Sequence, residues 1–180
     1  RLALFQVVSI QTTTGFTSTD FEKWPFFSQA LLVLLMFIGG CAGSTGGAIK
    51  CVRILVLIRH GIKELYRLVH PHAVVLVKLN GKVIPSETLQ AVWGMYFLYL
   101  SIFVAASLAM ALLGQDLVTS ISAVAATLGN VGPGLGQVGA YDNYSQLPTV
   151  GKWVLSACML FGRLEIYTLT LLLLPEFWRK

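Results

Sequence analysis

Charge is scarce in this 180-residue chain: 12% of its residues are Asp, Glu, Lys or Arg, where a soluble domain carries about 25%. Acid is scarcest, with 8 Asp and Glu against 13 Lys and Arg. Residues 25–49, 88–115 and 117–141 contain no charged side chain. A helix needs about 20 apolar residues to cross the hydrocarbon core, so these runs point to a bilayer. Cysteine is scarce too. Cys41, Cys51 and Cys158 form an odd set without a C-x-x-C pair, which argues against a disulfide framework and reads as small buried hydrophobes. The parts of an enzyme are missing as well: no apolar run holds paired carboxylates, a Ser/His dyad or H-E-x-x-H. His60, His70 and His72 make no metal-ligand set, and residues 70–72 read as a turn. G-x-G-x-x-G at 134–139 follows no strand pattern and precedes no helix–acid pattern, so it is not read as a nucleotide site.

What is present is 56% hydrophobic residues and a net charge of +5. Seven of the 13 basic residues fall between 50 and 82: Lys50, Arg53, Arg59, Lys63, Arg67, Lys78 and Lys82. Short Lys/Arg-rich loops stay on the cytoplasmic side, which places this loop inside. It suits contact with anionic lipid or a regulatory partner, or it serves topology alone. Lipid-length flanks argue against nucleic acid as its partner.

The expected elements follow from periodicity. Residues 1–11 form a short apolar helix and meet a Thr/Gly turn. Pro25 opens an apolar helix over 26–38, suited by its missing N–H. The glycine-rich 39–47 interrupts it, and 48–69 continue as a basic amphipathic helix. Asn80-Gly81 between β-branched runs predicts a two-residue hairpin. Ser86-Glu87 caps a long helix through 113. Residues 117–128, with Asp116 as N-cap, span about 18 Å as a helix, short of the ~30 Å core; this segment enters the membrane without crossing it. Residues 150–174 form the last span. The expected fold is an all-α membrane protein with re-entrant pore helices and a short cytoplasmic β-hairpin. Its parts are 1–69, 70–85 and 86–180.

A repeat organises these elements. "TTTGF" at 12–16 aligns with "GNVGP" at 129–133, which sets Gly15 on Gly132. A half-length apolar helix precedes each and a long apolar helix follows each. "MFIGG" at 36–40 then aligns with "MLFGR" at 159–163, with six extra residues in the later connection. The unit is helix, short helix, glycine turn, helix. The first copy begins without its leading helix, so the chain reads as part of a longer one. Backbone at membrane depth must be buried in protein or line an aqueous cavity. Glycine can turn successive carbonyls the same way, and carbonyls facing an axis replace a cation's hydration shell.

Two further features stand out. Gly39, Gly43 and Gly47 lie at i, i+4 and i+8, a G-x-x-x-G packing face in a continuous helix. Gly40, Ser44, Thr45 and Gly46 fill the gaps with poor helix formers, each glycine costing nearly 1 kcal/mol. That favours a broken helix with a loop at 39–47. No Gly-Lys follows at P-loop spacing. Arg163 lies mid-span, where an Arg costs roughly 2.5–3.5 kcal/mol on insertion scales and faces a cavity or a partner. One reading pairs it with a carboxylate elsewhere; the other turns it into the ion path, where its charge repels cations. Glu165, two residues on, lies on another face.

Taken together, "TTTGFTS", "GGCAGSTGGAIK", "HPHAVVLVKLNGKV", "LGNVGPGLG" and "FGRLEIYTLTLLLL" resemble the Trk-type potassium uptake proteins of the Trk/Ktr/HKT superfamily, over essentially the whole chain. The resemblance implies four M1–P–M2 repeats in a full chain, with this segment supplying most of repeat three and all of repeat four. It implies K+ as the transported ion, coordinated by carbonyls around Thr13, Thr14, Asn130 and Val131. Gly15 and Gly132 would set the strand geometry, flanked by Thr12, Phe16, Gly129 and Pro133. A gate would comprise Gly39, Gly40, Gly43, Ser44, Thr45, Gly46 and Gly47 together with Arg163. It further implies repeats one and two of the same polypeptide, a homodimer, a cytoplasmic ring of RCK nucleotide-binding domains, and the bacterial inner membrane with the C-terminus cytoplasmic. No cofactor is implied. A sodium-coupled or non-selective cation transporter is the alternative in the same superfamily, and a non-conducting membrane subunit is the third.

Overall fold

The computed structural model describes residues 1–180 except 42, 45, 74, 80, 165, 166, 169, 171–174, 179 and 180. Six helices carry the architecture: α1 (Leu2–Gln11), α2 (Phe26–Met36), α3 (Cys51–Val69), α4 (Ser86–Leu112), α5 (Leu117–Leu128) and α6 (Thr149–Arg163). Short 3-10 turns at Phe21–Lys23, Gly136–Val138 and Tyr144–Gln146 lie in the connections. Among the described residues, α4 alone is long and apolar enough to cross a membrane; its 27 residues reach about 40 Å at 1.5 Å per residue. α1, α2 and α5 are shorter apolar helices.

Helix starts follow local chemistry. Pro25, Pro85 and Pro148 occupy the N-cap positions of α2, α4 and α6, where no N–H is required. The cap expected from Ser86 is therefore corrected: Ser86 is the first helical residue, and no side-chain cap bond forms there. Asp116 caps α5 as expected, its carboxylate accepting the Thr119 N–H at 3.1 Å.

α5 is the hub. Ala123, Val124, Ala125, Ala126 and Leu128 are buried almost completely, because α2, α4 and α6 all pack on it. Small side chains let backbones approach closely. One core joins Met95, Tyr99, Ala106 and Met110 of α4 to Ala123, Val124 and Leu128 of α5 and to Leu155 and Cys158 of α6. A second joins Ile10 of α1, Leu32 and Met36 of α2, and Ala125 and Ala126 of α5 to Val131 and Leu135.

The α2–α3 helix is broken, as the glycine content predicts, and the break has a defined form. β1 (Ile38–Gly39) pairs in parallel with β2 (Ile49–Lys50), matching Ile38 with Ile49 and Gly39 with Lys50. Parallel pairing means the chain leaves, loops and returns in its original direction. The Cys51 thiol donates to the Gly39 carbonyl at 2.9 Å, and the Cys51 N–H bonds the Gly40 carbonyl at 3.2 Å, closing the loop at its base. The pairing trims both expected helices, which end at Met36 and restart at Cys51. β3 (Lys78–Leu79) and β4 (Lys82–Val83) form the expected antiparallel hairpin. Gly81 holds φ +79°, and Asn80 lies outside the described residues. α6 ends at Arg163 with a bend at Leu164, just after Gly162, the poorest helix former of that stretch; within the span expected through 174, Tyr167, Thr168 and Thr170 are again helical. Glu165, Arg179, Lys180 and residues 171–174 lie outside the described residues.

Candidate functional site

Two turns, one at the C-terminal end of α1 and one at that of α5, share a backbone pattern residue for residue. Thr12 N–H and Gly129 N–H bond the carbonyls four residues back, Val8 and Ala125. Thr13 and Asn130 bond Ile10 and Thr127, three back; Thr14 and Val131 bond Ser9 and Ala126, five back. Gly15 and Gly132 bond the same Ser9 and Ala126 carbonyls at 3.4 Å. Every N–H of each turn thus points back at its helix. Among the described residues, no backbone N–H bonds the carbonyls of Thr12, Thr13, Thr14, Gly129, Asn130 or Val131. The backbone alternates in hand: Thr13 (φ 54°) and Gly15 (φ 76°) match Asn130 (φ 55°) and Gly132 (φ 113°) in the positive-φ region. Asn tolerates that region. A β-branched Thr there is strained by about 1–3 kcal/mol, held by the bonds to α1. Helix C-termini carry partial negative charge, so each helix presents its cation-favouring end to its turn.

Each turn is tied to its surroundings. The Ser9 hydroxyl donates to the Phe16 carbonyl at 2.7 Å. Thr12 Oγ1 donates to the Val8 carbonyl at 2.7 Å and lies 2.8 Å from Thr14 Oγ1. In the second copy, Ser122 Oγ bonds both the N–H and the carbonyl of Leu135 at 2.9 Å. Asn130 Nδ2 donates to the Met159 carbonyl of α6 at 3.2 Å, so its side chain anchors the turn to the following helix. The Tyr144 hydroxyl donates to the Gly132 carbonyl at 2.5 Å.

The two turns meet. A Cβ at Gly15 would collide with the Val131 carbonyl oxygen and lie 3.2 Å from Pro133 Cδ. Thr14, Gly15, Phe16, Val131, Gly132 and Pro133 line one cavity of about 250 Å³ together with Asp142 and Tyr144. The connections beyond are cross-linked: Glu22 Oε1 accepts the Gly136 N–H at 2.6 Å, and Thr17 Oγ1 donates to the Ala140 carbonyl at 3.2 Å. Burial raises the Glu22 pKa above the usual carboxyl value; the Gly136 N–H opposes this, and the nearby Asp142 and Asp20 charges add to it.

The glycine-rich loop abuts both turns. A Cβ at Gly47 would strike the Gly129 carbonyl and come within 2.8 Å of Asn130 Cβ, and one at Gly46 would lie 3.4 Å from Thr13 Oγ1. Ser44 folds the loop tip locally, its hydroxyl donating to the Cys41 carbonyl at 2.7 Å. Gly43 is left-handed, with open space where its Cβ would be. A Cβ at Gly40 would meet Ser44 Oγ at 2.7 Å, and one at Gly39 would strike the Gly47 carbonyl. Thr45 lies outside the described residues. Arg163 lines a cavity of about 200 Å³ with Ser44, Gly46, Ala48, Lys50 and Arg53, so three basic residues border the space beside the loop.

Of the sequence-predicted residues, the structure therefore gathers Thr13, Gly15, Gly46, Gly47, Gly129, Asn130 and Val131 into one neighbourhood, with Arg163 bordering the adjoining cavity. Sequence reasoning missed Ser9, Ser122, Glu22, Tyr144 and Gly162. A Cβ at Gly162 would strike the Leu128 carbonyl and come within 2.6 Å of Asn130 Nδ2; its alignment with Gly39 was the one available signal. No cluster of three His, Cys, Asp or Glu occurs among the described residues. The oxygen donors gathered are carbonyls and hydroxyls, ligands suited to a hard cation.

A family model described as TrkH, cation transport protein, matches residues 1–180. The chain is 52% identical over 178 residues to the Trk system potassium uptake protein TrkH of Vibrio parahaemolyticus, covering 99% of this chain and 36% of that protein. It is 49% identical to TrkH of Escherichia coli strain K12 over the same shares, 99% and 36%, and 34% identical to TrkG of that strain, again over 99% and 36%. The crystal structure of the potassium transporter TrkH from Vibrio parahaemolyticus superposes with a TM-score of 0.91 at 52% identity, over 99% of this chain and 38% of that one. The chain spans a little over a third of the length of these relatives.

Proposed function

The chain belongs to the TrkH family of cation transport proteins, and we propose that it forms part of a K+ pathway across the bacterial inner membrane. In this reading α1 and α5 are re-entrant pore helices, and residues 12–16 and 129–133 are two walls of an ion filter. Carbonyls of Thr13, Thr14, Asn130 and Val131 take the place of water around K+. The observation that carries the reading is the matched pair of turns: identical N–H bonding back to the helix and identical positive-φ positions. Turning each N–H inward leaves the opposite side of the strand to its oxygens, and the two helix C-termini add negative potential.

The glycine-rich loop at 39–47 acts as the gate. It abuts Thr13, Gly129 and Asn130, so its movement opens or closes the space below the filter. Arg163 borders the cavity beside it and raises the electrostatic cost of a cation passing there. The residues map onto repeat three without its first helix (1–69), a cytoplasmic hairpin (70–85) and repeat four (86–180). Repeats one and two of the same polypeptide complete the filter. The functional protein is a homodimer bound to a cytoplasmic RCK-type ring, with its C-terminus inside. It is a transporter that needs no cofactor and catalyses no covalent step.

The test is Rb+ uptake into liposomes holding the full-length protein. Saturable uptake that a Gly15→Ser variant lacks is the expected result; no uptake by the wild-type protein overturns the proposal.

A further inference from the structure

Gly132 and Gly15 are equivalent in backbone, yet their carbonyl surroundings differ. The Gly132 carbonyl accepts the Tyr144 hydroxyl at 2.5 Å. In the first copy the hydroxyl tie goes one residue further on, from Ser9 to the Phe16 carbonyl at 2.7 Å. Tyr144 comes from a 3-10 turn twelve residues downstream, in the connection before α6. That turn is itself fixed: Asn143 Oδ1 accepts the Ser145 N–H at 2.9 Å, Lys152 Nζ of α6 donates to the Ser145 carbonyl at 2.8 Å, and the Tyr144 ring packs on the α4–α5–α6 core. Burial pushes the phenol pKa up to about 12, so the hydroxyl keeps its proton and remains a donor across physiological pH. Gly132 sits at φ +113° with open space where its Cβ would be, so no side chain of its own packs there. The tyrosine hydroxyl is the donor that its carbonyl accepts.

We propose that Tyr144 is a specificity-determining positioning residue, whose hydroxyl holds the Gly132 carbonyl at a fixed distance from the ion path. The inference rests on the reading of 129–133 as a filter wall. A smaller cation such as Na+ needs its ligands drawn inward, and a larger one such as K+ does not. A strand tethered at the Gly132 carbonyl cannot draw the adjoining Val131 and Asn130 carbonyls in around the smaller ion, so the tether penalises Na+ more than K+. Ring burial alone has no such preference between ions.

The experiment compares wild-type and Y144F full-length protein in liposomes, measuring Rb+ and Na+ uptake side by side. The expected result is a Rb+/Na+ uptake ratio lowered severalfold. An unchanged ratio in Y144F overturns the inference while leaving the filter reading intact; a wild-type protein that takes up neither ion overturns the filter reading itself. If Y144F does not reach the membrane, a ring-fluorinated tyrosine at 144 replaces it, since its hydroxyl ionises at lower pH and then no longer donates. Discrimination should fall on alkalinisation in that protein and not in wild type. Asp142 borders the same cavity in both proteins, so wild type is the control for it. A ratio flat with pH overturns the inference.

Discussion

The carbonyl oxygen of Val131 occupies the space where a side chain on Gly15 would begin. One strand of the site thus rests directly on the backbone of the other, and the contact joins the turn after α1 to the turn after α5.

Gly15→Ser is therefore expected to act twice, through this collision and through its φ of +76°. Gly132→Ser meets only the conformational penalty at φ +113°. Rb+ uptake should fall by at least about tenfold in the first, and less in the second; tenfold corresponds to roughly 1.4 kcal/mol on the barrier. Equal uptake by Gly15→Ser and wild type would remove the contact from the mechanism.

Arg163→Ala removes one of three positive charges bordering the cavity beside the glycine-rich loop. Cation flux through the full-length protein should rise severalfold, most visibly at low ionic strength, where charge is least screened. A variant no faster than wild type under those conditions would show that the residue does not oppose cations.

Gly162→Ala should destabilise the protein without touching any oxygen of the proposed filter. Its added methyl would enter the Leu128 carbonyl, and overpacking of this kind costs about 1–3 kcal/mol. Thermal unfolding in detergent reads the effect as a lowered midpoint. An unchanged midpoint would mean that α5 and α6 part easily.

Glu22 supplies a pH test with a definite sign. Its pKa is raised, first by burial and then by Asp142 and Asp20 against the opposing Gly136 N–H, so the folded protein holds this proton more tightly than the unfolded chain. The stability it confers is full below the unfolded carboxyl value and is lost as pH rises through the folded one. Glu22→Gln keeps an oxygen for the Gly136 N–H and removes the charge. The variant should melt slightly higher than wild type at neutral pH, and the two curves should converge on acidification. A variant less stable than wild type at neutral pH would show that the ionised carboxylate is the favoured partner of Gly136.

Much of the architecture was legible in the chain itself. The twelve residues of α5 give a helix too short to cross the bilayer, and Asp116 marks its start. The glycines of 39–47 disrupt a helix by propensity alone, and the alignment of Gly15 with Gly132 follows from spacing. Asn130 was legible only in part: Asn is permitted a left-handed backbone, but Thr13 is not an obvious candidate for one, and nothing local sends the Asn130 amide to Met159.

What tertiary structure decided lies in contacts between distant segments. Glu22 and Gly136 are separated by 114 positions and Thr17 and Ala140 by 123. Gly47 meets Gly129, and Tyr144 selects the Gly132 carbonyl among many. Hydrophobic period, capping residues and glycine content act over one or two turns of chain, so they set where helices begin, break and end. Which carbonyl faces which hydroxyl depends on how close two backbones come once α5 is enclosed by α2, α4 and α6, and that distance is fixed by packing.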